Sequence, residues 1–197
     1  MGNCAQDLVF VWGPFQRGFG GFRGRGGEVL KVSFQSLIEL YEYLTCQVIA
    51  VSRKVVELSR REKDRKRVQL VRSVPGIGIL IGMEILVEIQ DLARFKRAEE
   101  LASYIGLTPS EFSTGQYVRQ GRITRSGNWR LRSALVESSW ILITRDRWMR
   151  MIYMRLKARK GAKRAIVAIA RRLIIRLRSI LLSNVPYKGG NSLVQAA

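Results

Sequence analysis

Leu37, Tyr41, Leu44, Val48, Val51, Val55 and Leu58 recur at spacings of 4, 3, 4, 3, 4 and 3, the alternation that keeps one apolar seam turned toward a partner helix. The pattern predicts a long coiled-coil helix over residues 33–70. Beyond Leu58 the seam would continue through Glu62 and Arg65, and the run RREKDRKR is too charged to pack, so this part reads as a solvated lead-in. Two uses of the seam stay open: the helix folds back onto its own domain, or it joins a second copy. Val71 to Gly82 reads as a turn between helices. Pro75-Gly76-Ile77-Gly78, set among apolar Val74, Ile79 and Leu80, has the pattern of a helix-hairpin-helix element, which aims glycine amides at a DNA phosphate. A tight helical corner without a ligand is the alternative.

Further along, Met83, Leu86 and Val87 with Glu84, Glu88 and Asp91 form an amphipathic pattern, followed by a second helix from Arg97 to Tyr104. Glu84 and Glu88 stand one helical turn apart, a spacing open to a metal pair or to a solvated face. Trp129 to Ile143 predicts a helix with Leu131, Ala134, Leu135, Ser138 and Ile141 inward, capped by Asn128. Lys163 to Leu182 predicts a core helix built on Ile166, Ile169, Ala170, Leu173, Leu177, Ile180 and Leu181, with Arg171, Arg172, Arg176 and Arg178 on an edge facing DNA. Four arginines in so short a stretch make a membrane-spanning reading very costly. The expected fold is mainly α: residues 1–32 a disordered or frame-shift-like segment, 33–70 the coiled-coil helix, 71–187 a compact helical domain with a Gly/Arg-rich catalytic loop, and 188–197 a flexible tail.

Charge sharpens this picture. The 197 residues carry 35 basic and 15 acidic side chains, a net +20, of which +16 lies after residue 107. A surplus so placed implies a face bound to a polyanion, with affinity that falls as salt rises. Cys4 and Cys46 are the two cysteines and there is no histidine, which excludes zinc-finger spacing, a disulfide framework and any Cys/His or Ser/His dyad. The first 30 residues lack a basic start followed by an apolar core. A cytoplasmic, nucleoid-associated protein with no membrane partner is expected.

The window GLTPSEFSTGQYVRQGRITRSGNWRLR from Gly106 to Arg132 places one hydroxyl nucleophile candidate, Ser113, among glycines and arginines. Gly115, Gly121 and Gly127 fall at intervals of six, so the backbone is expected to turn repeatedly and approach a ligand closely. Arg119, Arg122, Arg125, Arg130 and Arg132 share the window with Glu111 as its one acid. Guanidinium forks match phosphate oxygens and stay charged at any working pH. Read from residues alone, the window is either a phosphodiester-reacting site or a basic loop that only touches DNA backbone.

Ordered blocks carry a resemblance. Pro75-Gly76-Ile77-Gly78, Phe95-Lys96, Leu101-Ala102-Ser103-Tyr104-Ile105-Gly106-Leu107-Thr108-Pro109-Ser110, Ser113-Thr114-Gly115, Gly121-Arg122-Ile123-Thr124-Arg125-Ser126-Gly127-Asn128, Leu131-Arg132 and Ala134-Leu135-Val136-Glu137 resemble the C-terminal, serine-containing domain of insertion sequence 110 family transposases, over about Leu70 to Tyr187. The resemblance implies DNA recombination in which a serine of the Ser-(Ser/Thr)-Gly motif attacks the DNA backbone and forms a phosphoserine link. That residue here is Ser113, with Thr114 second and Gly115 in support. Gly76, Gly78, Arg119, Arg122, Arg125, Asn128, Arg130 and Arg132 become DNA-binding candidates. A helical coiled coil precedes the serine domain in the family and joins subunits, which favours a homodimer or higher assembly through residues 37–58.

The N-terminus departs from that pattern. Full-length relatives begin with a RuvC-type domain whose four acidic residues hold divalent metal ions. Here 32 residues precede the helix, with Asp7 and Glu28 as their acids. The stretch GPFQRGFGGFRGRGG reads either as an RGG-type RNA-binding segment or as a scar of truncation or frame-shift. The expectation is therefore a DNA-binding transposase fragment that holds no metal itself, Mg2+ belonging to the missing domain, with a guide RNA as a further partner of the full complex. It is expected neither to cleave nor to join DNA alone. The rival is a non-catalytic DNA- or RNA-binding remnant that dimerises with intact transposase.

Overall fold

The computed structural model describes residues 25–114, 117–124 and 126–189, with side chains at all of these except 25–28, 111–120 and 122. Among them the chain is mainly helical, with seven α-helices and one two-stranded hairpin. It divides into two units, Met1–Val55 and Val56–Ala197.

The first unit is built on helix α1, Arg25–Ser59. It begins upstream of the expected Ser33, at Arg25, with Gly26 and Gly27 inside its first turn. Its heptad seam is solvent-facing, with Leu37, Leu44 and Val48 exposed by 62%, 51% and 64%. The single helix expected over 33–70 is interrupted. Ser59 turns its hydroxyl onto the Val56 carbonyl at 2.6 Å, the amides of Arg60 and Arg61 bond three residues back, and Arg61 takes an extended ψ of 142°. Side-chain competition and a tightened last turn end the helix where the apolar seam itself ends.

In the second unit, α2 (Glu62–Arg72) opens with its charged residues in solvent and buries Val68 and Val71. After a short turn, α3 (Ile79–Ile89) starts at Gly78 and buries Met83, Ile85, Leu86 and Ile89. The Arg67 guanidinium donates to the Gln90 carbonyl at 3.0 Å, stitching α2 to the end of α3. Asp91 caps a single 3-10 turn at Leu92–Arg94, and α4 (Ala98–Tyr104) follows, with the Glu100 carboxylate accepting from the Arg97 amide at 3.3 Å. Strands β1 (Pro109–Thr114) and β2 (Tyr117–Ile123) pair antiparallel. Helices α5 (Trp129–Arg145), α6 (Arg147–Lys160) and α7 (Ala162–Ser183) complete the unit.

Helix α7 is central and packs against α2, α4, α5 and α6. Every inward position expected for it is buried, and Ile174 joins them. Two of its four arginines do not form a DNA-facing edge. Arg176 is 7% exposed and donates to the Tyr187 hydroxyl and the Gly189 carbonyl, both at 3.3 Å. Arg178 donates to the Phe95 and Lys96 carbonyls at 2.9 and 3.0 Å. Both guanidiniums are engaged by main-chain carbonyls of the fold.

The stretch after α7 is tied down as well. The Tyr187 amide donates to the Ser73 hydroxyl at 2.8 Å, and its own hydroxyl makes a short bond to Asp146. Asp146 is 7% exposed and also caps α6 through the Met149 amide at 3.0 Å. Burial pushes the Tyr187 phenol up to about 12, with the Asp146 bond adding and Arg176 opposing. Residues 185–189 are thus part of the fold, whereas 190–197 of the expected tail lie outside the described residues.

Candidate nucleic-acid site around the 109–123 hairpin

The Gly/Arg window is a hairpin, not the turn-rich loop expected from its glycines. Its strands hold the β-forming residues Phe112, Tyr117, Val118 and Ile123 on either side of Gly115-Gln116, and that local preference outweighs the glycine at 121. Ser113 pairs with Val118, Thr114 with Tyr117, Phe112 with Arg119 and Glu111 with Gln120. The register shifts between Pro109 and Glu111, so Gly121 and Arg122 together oppose Ser110. Gly121 therefore serves a bulge, where an extra residue sharpens the local twist. By register, Ser113 shares parity with Glu111, Val118 and Gln120, and Thr114 with Phe112, Tyr117 and Arg119. Gly115 and Arg125 lie outside the described residues.

The base of the hairpin is clasped tightly. The Thr124 amide donates to the Thr108 carbonyl at 3.0 Å, just beyond the last paired residues. Gly106 has φ +77° and Gly127 φ +117°. A Cβ on Gly106 would stand 2.3 Å from the Ser126 carbonyl oxygen, and one on Gly127 would stand 2.2 Å from that of Tyr104. Glycine at both positions lets the end of α4 and the start of α5 lie backbone against backbone. Arg132 locks the junction by donating to the Ile105 carbonyl at 2.9 Å. That guanidinium, a DNA-binding candidate by sequence, is engaged by the fold through its Nη1.

Asn128 caps α5 as expected, its Oδ1 accepting from the Leu131 amide at 3.1 Å. It also reaches Glu88. The Tyr104 hydroxyl donates to Glu88 at 2.7 Å; this bond first, then that of Asn128, hold the Glu88 carboxyl below its ordinary value, with Arg94 adding and burial opposing. The Tyr104 phenol is correspondingly raised, chiefly by the same bond. Arg94 lies over the Phe95 and Tyr104 rings at 4.9 and 5.0 Å. Glu88 thus ties α3, α4 and α5 together behind the hairpin. Among the described residues no group of three or more Asp, Glu, Cys or His could hold a metal ion.

The Pro75–Gly78 corner is split in its use. Gly76, at φ +93°, is pressed against α5, where a Cβ would stand 2.5 Å from the Ser138 carbonyl oxygen. Gly78 is exposed and extended, with nothing near its Cβ position, and begins α3 without a side-chain cap. The first glycine serves helix packing. The second leaves the amide end of α3 toward solvent.

Two features escaped the sequence reading. Helix α6 had no counterpart there, although Met149, Ile152, Tyr153 and Leu156 follow helical spacing; with α7 it lines a groove of about 500 Å3 that includes Trp148, Ile152, Ile175, Lys160, Arg171 and Arg172. Trp129 was read only as the start of a helix, yet it is 66% exposed. Ile141, expected inward, is 48% exposed, and Leu142 and Ile143 take the buried positions.

These parts define a helical module that presents a short, arginine-bearing hairpin from a clasped base. Residues 68–154 match the model described as Transposase IS116/IS110/IS902 family. Relatives include the transposase for insertion sequence element IS1111A of Coxiella burnetii, 26% identical over 77% of this chain and 43% of that protein. The insertion element IS110 uncharacterized 43.6 kDa protein of Streptomyces coelicolor is 32% identical over 60% of this chain and 30% of its own length. The pilin gene-inverting protein of Moraxella bovis is 32% identical over 61% of this chain and 38% of its own. The chain spans less than half the length of these relatives. No helix among the described residues is long and apolar enough to cross a membrane.

Proposed function

We propose that this chain is the serine-bearing DNA-binding part of a transposase or recombinase. The observation that carries the reading is the hairpin, which holds Ser113 near its closed end within a stretch that matches a transposase family model. The reaction is transesterification. The Ser113 Oγ–phosphorus bond forms as one ester bond of the strand breaks, and the released strand end leaves as a hydroxyl with the serine's proton. Arg119, Arg122 and Arg125 bind the phosphodiester, since guanidinium groups stabilise the charge that builds on its oxygens. A serine hydroxyl is a weak nucleophile until a base or metal activates it. The activating group is supplied by an acidic metal-binding domain of the RuvC type, and the full complex takes up a guide RNA.

The protein assembles as a homodimer through the seam of α1. Exposure of Leu37, Tyr41, Leu44, Val48 and Val51 along one helix supports this, since a heptad seam is stable when a second seam covers it.

Phosphoserine trapping on a nicked suicide DNA substrate tests the chemistry, run with the chain alone and with a relative's acidic domain added in trans. The expected result is an adduct only in the second case, lost in Ser113→Ala and kept in Thr114→Ala. An adduct that survives Ser113→Ala and disappears in Thr114→Ala moves the nucleophile to Thr114. Absence of any adduct while DNA binding persists leaves a nucleic-acid-binding protein without chemistry.

A further inference from the structure

Trp129 occupies the first position of α5, immediately after its Asn128 cap, with 66% of its surface open to solvent. A large indole so exposed contributes little to folding and presents an open aromatic face. Its placement is stiff. The cap bond, the close approach of Gly127 to the Tyr104 carbonyl and the Arg132 bond to Ile105 fix the start of α5, so the ring sits on a rigid base. The Arg130 guanidinium lies 5.7 Å from the ring centroid, a cation–π contact that places fixed positive charge beside the aromatic face. From Tyr117 to Val136 the chain has five arginines and no acid. An aromatic platform with arginine beside it, in a basic stretch, suits a nucleobase whose phosphates are held alongside.

We propose that Trp129 is a stacking site for an unpaired nucleobase, with Arg130 holding the adjacent phosphate. This rests on the nucleic-acid reading above, and adds to it that the site prefers DNA in which a base has left the duplex. A fully paired duplex offers no free base face, so only its backbone contributes to binding. A bulged or flapped base adds the stack.

The test is fluorescence anisotropy with two labelled duplexes, one fully paired and one carrying a single extrahelical 2-aminopurine. The wild type is expected to bind the second more tightly and to quench the 2-aminopurine. Trp129→Ala is expected to lower affinity for that duplex by about 5- to 150-fold, the span of roughly 1–3 kcal/mol per stacked base. It should leave the paired duplex within about twofold, and Trp129→Phe should keep part of the preference. A circular dichroism melt matching the wild type confirms that the exposed position leaves folding intact. Wild-type binding to DNA without preference for the extrahelical base overturns the stacking site and leaves the DNA reading standing, as does a preference that persists in Trp129→Ala. Failure of the wild type to bind either duplex overturns both.

Discussion

Replacing Tyr187 by Phe removes one oxygen from the contact that closes the C-terminal side of the fold. The hydroxyl donates to Asp146 and accepts from Arg176 at 3.3 Å, and both partners are 7% exposed. Leaving a buried acceptor short of its donor costs about 1–3 kcal/mol. Tyr187 is half-buried, so solvent repairs part of the loss and about 1–2 kcal/mol is expected. For a chain of this size that lowers Tm by roughly 2–8 °C. The pH dependence supplies a second readout. Burial and the Asp146 bond raise the phenol from its ordinary 10 to about 12 in the folded protein. A folded pKa above the unfolded one means the stabilisation is complete below pH 10 and is lost as pH rises toward 12. Two units correspond to a ceiling of about 2.7 kcal/mol, which solvent screening of a half-exposed ring cuts to roughly half. Urea melts of both proteins from pH 7 to 12 are the assay. The gap between wild type and Tyr187→Phe should be constant to about pH 10 and then narrow. A neutral-pH gap under about 0.5 kcal/mol, or one unchanged at the alkaline end, would refute the assigned role of the hydroxyl.

At the hairpin base, Gly127→Ala should destabilise by about 3 kcal/mol or more, because the added Cβ would meet the Tyr104 carbonyl oxygen at 2.2 Å in addition to the strain at φ +117°. Gly161→Ala, at φ +80° and ψ 162° with open space around it, should cost backbone strain alone, about 1–3 kcal/mol; a loss equal to that of Gly127→Ala in thermal melts would contradict the clasp. Binding to duplex DNA should fall by orders of magnitude between low and moderate salt, and reversing Arg122 and Arg125 to Glu should weaken it more than reversing Arg60 and Arg61 at the α1–α2 break, as read by anisotropy. Leu44→Asp with Val48→Asp places charge on the apolar seam and should yield monomers; sedimentation of the wild type as a monomer at tens of micromolar would remove the dimer.

What could be read from the chain in advance was the apolar spacing along single helices and one local cap. The α7 pattern predicted seven of its buried positions, because a helix packed among others is apolar at most inward sites. The seam of α1 likewise marked an apolar stripe, and the Asn128 cap followed from a local bond between near neighbours. The hairpin was hidden because glycine spacing was weighed above the β-forming residues flanking Gly115-Gln116, and α6 because six basic residues among its 14 obscured the spacing of Met149, Tyr153 and Leu156.

The role of each arginine was the least legible part, for a physical reason. Charge is a property of the residue, whereas its use depends on which carbonyls the tertiary fold leaves without donors. Arg132, Arg150, Arg176 and Arg178 all donate to main-chain carbonyls, at Ile105, Ile143, Gly189 and Phe95. A guanidinium so engaged has part of its hydrogen-bonding capacity already spent, and moving it onto a phosphate would strip a partner from a carbonyl of the fold. Net charge therefore overstates the number of arginines ready to bind DNA. By the same argument Arg130, exposed and resting on an exposed indole, is better placed for a nucleic acid than its neighbour Arg132, although the two are indistinguishable in composition and stand only two positions apart.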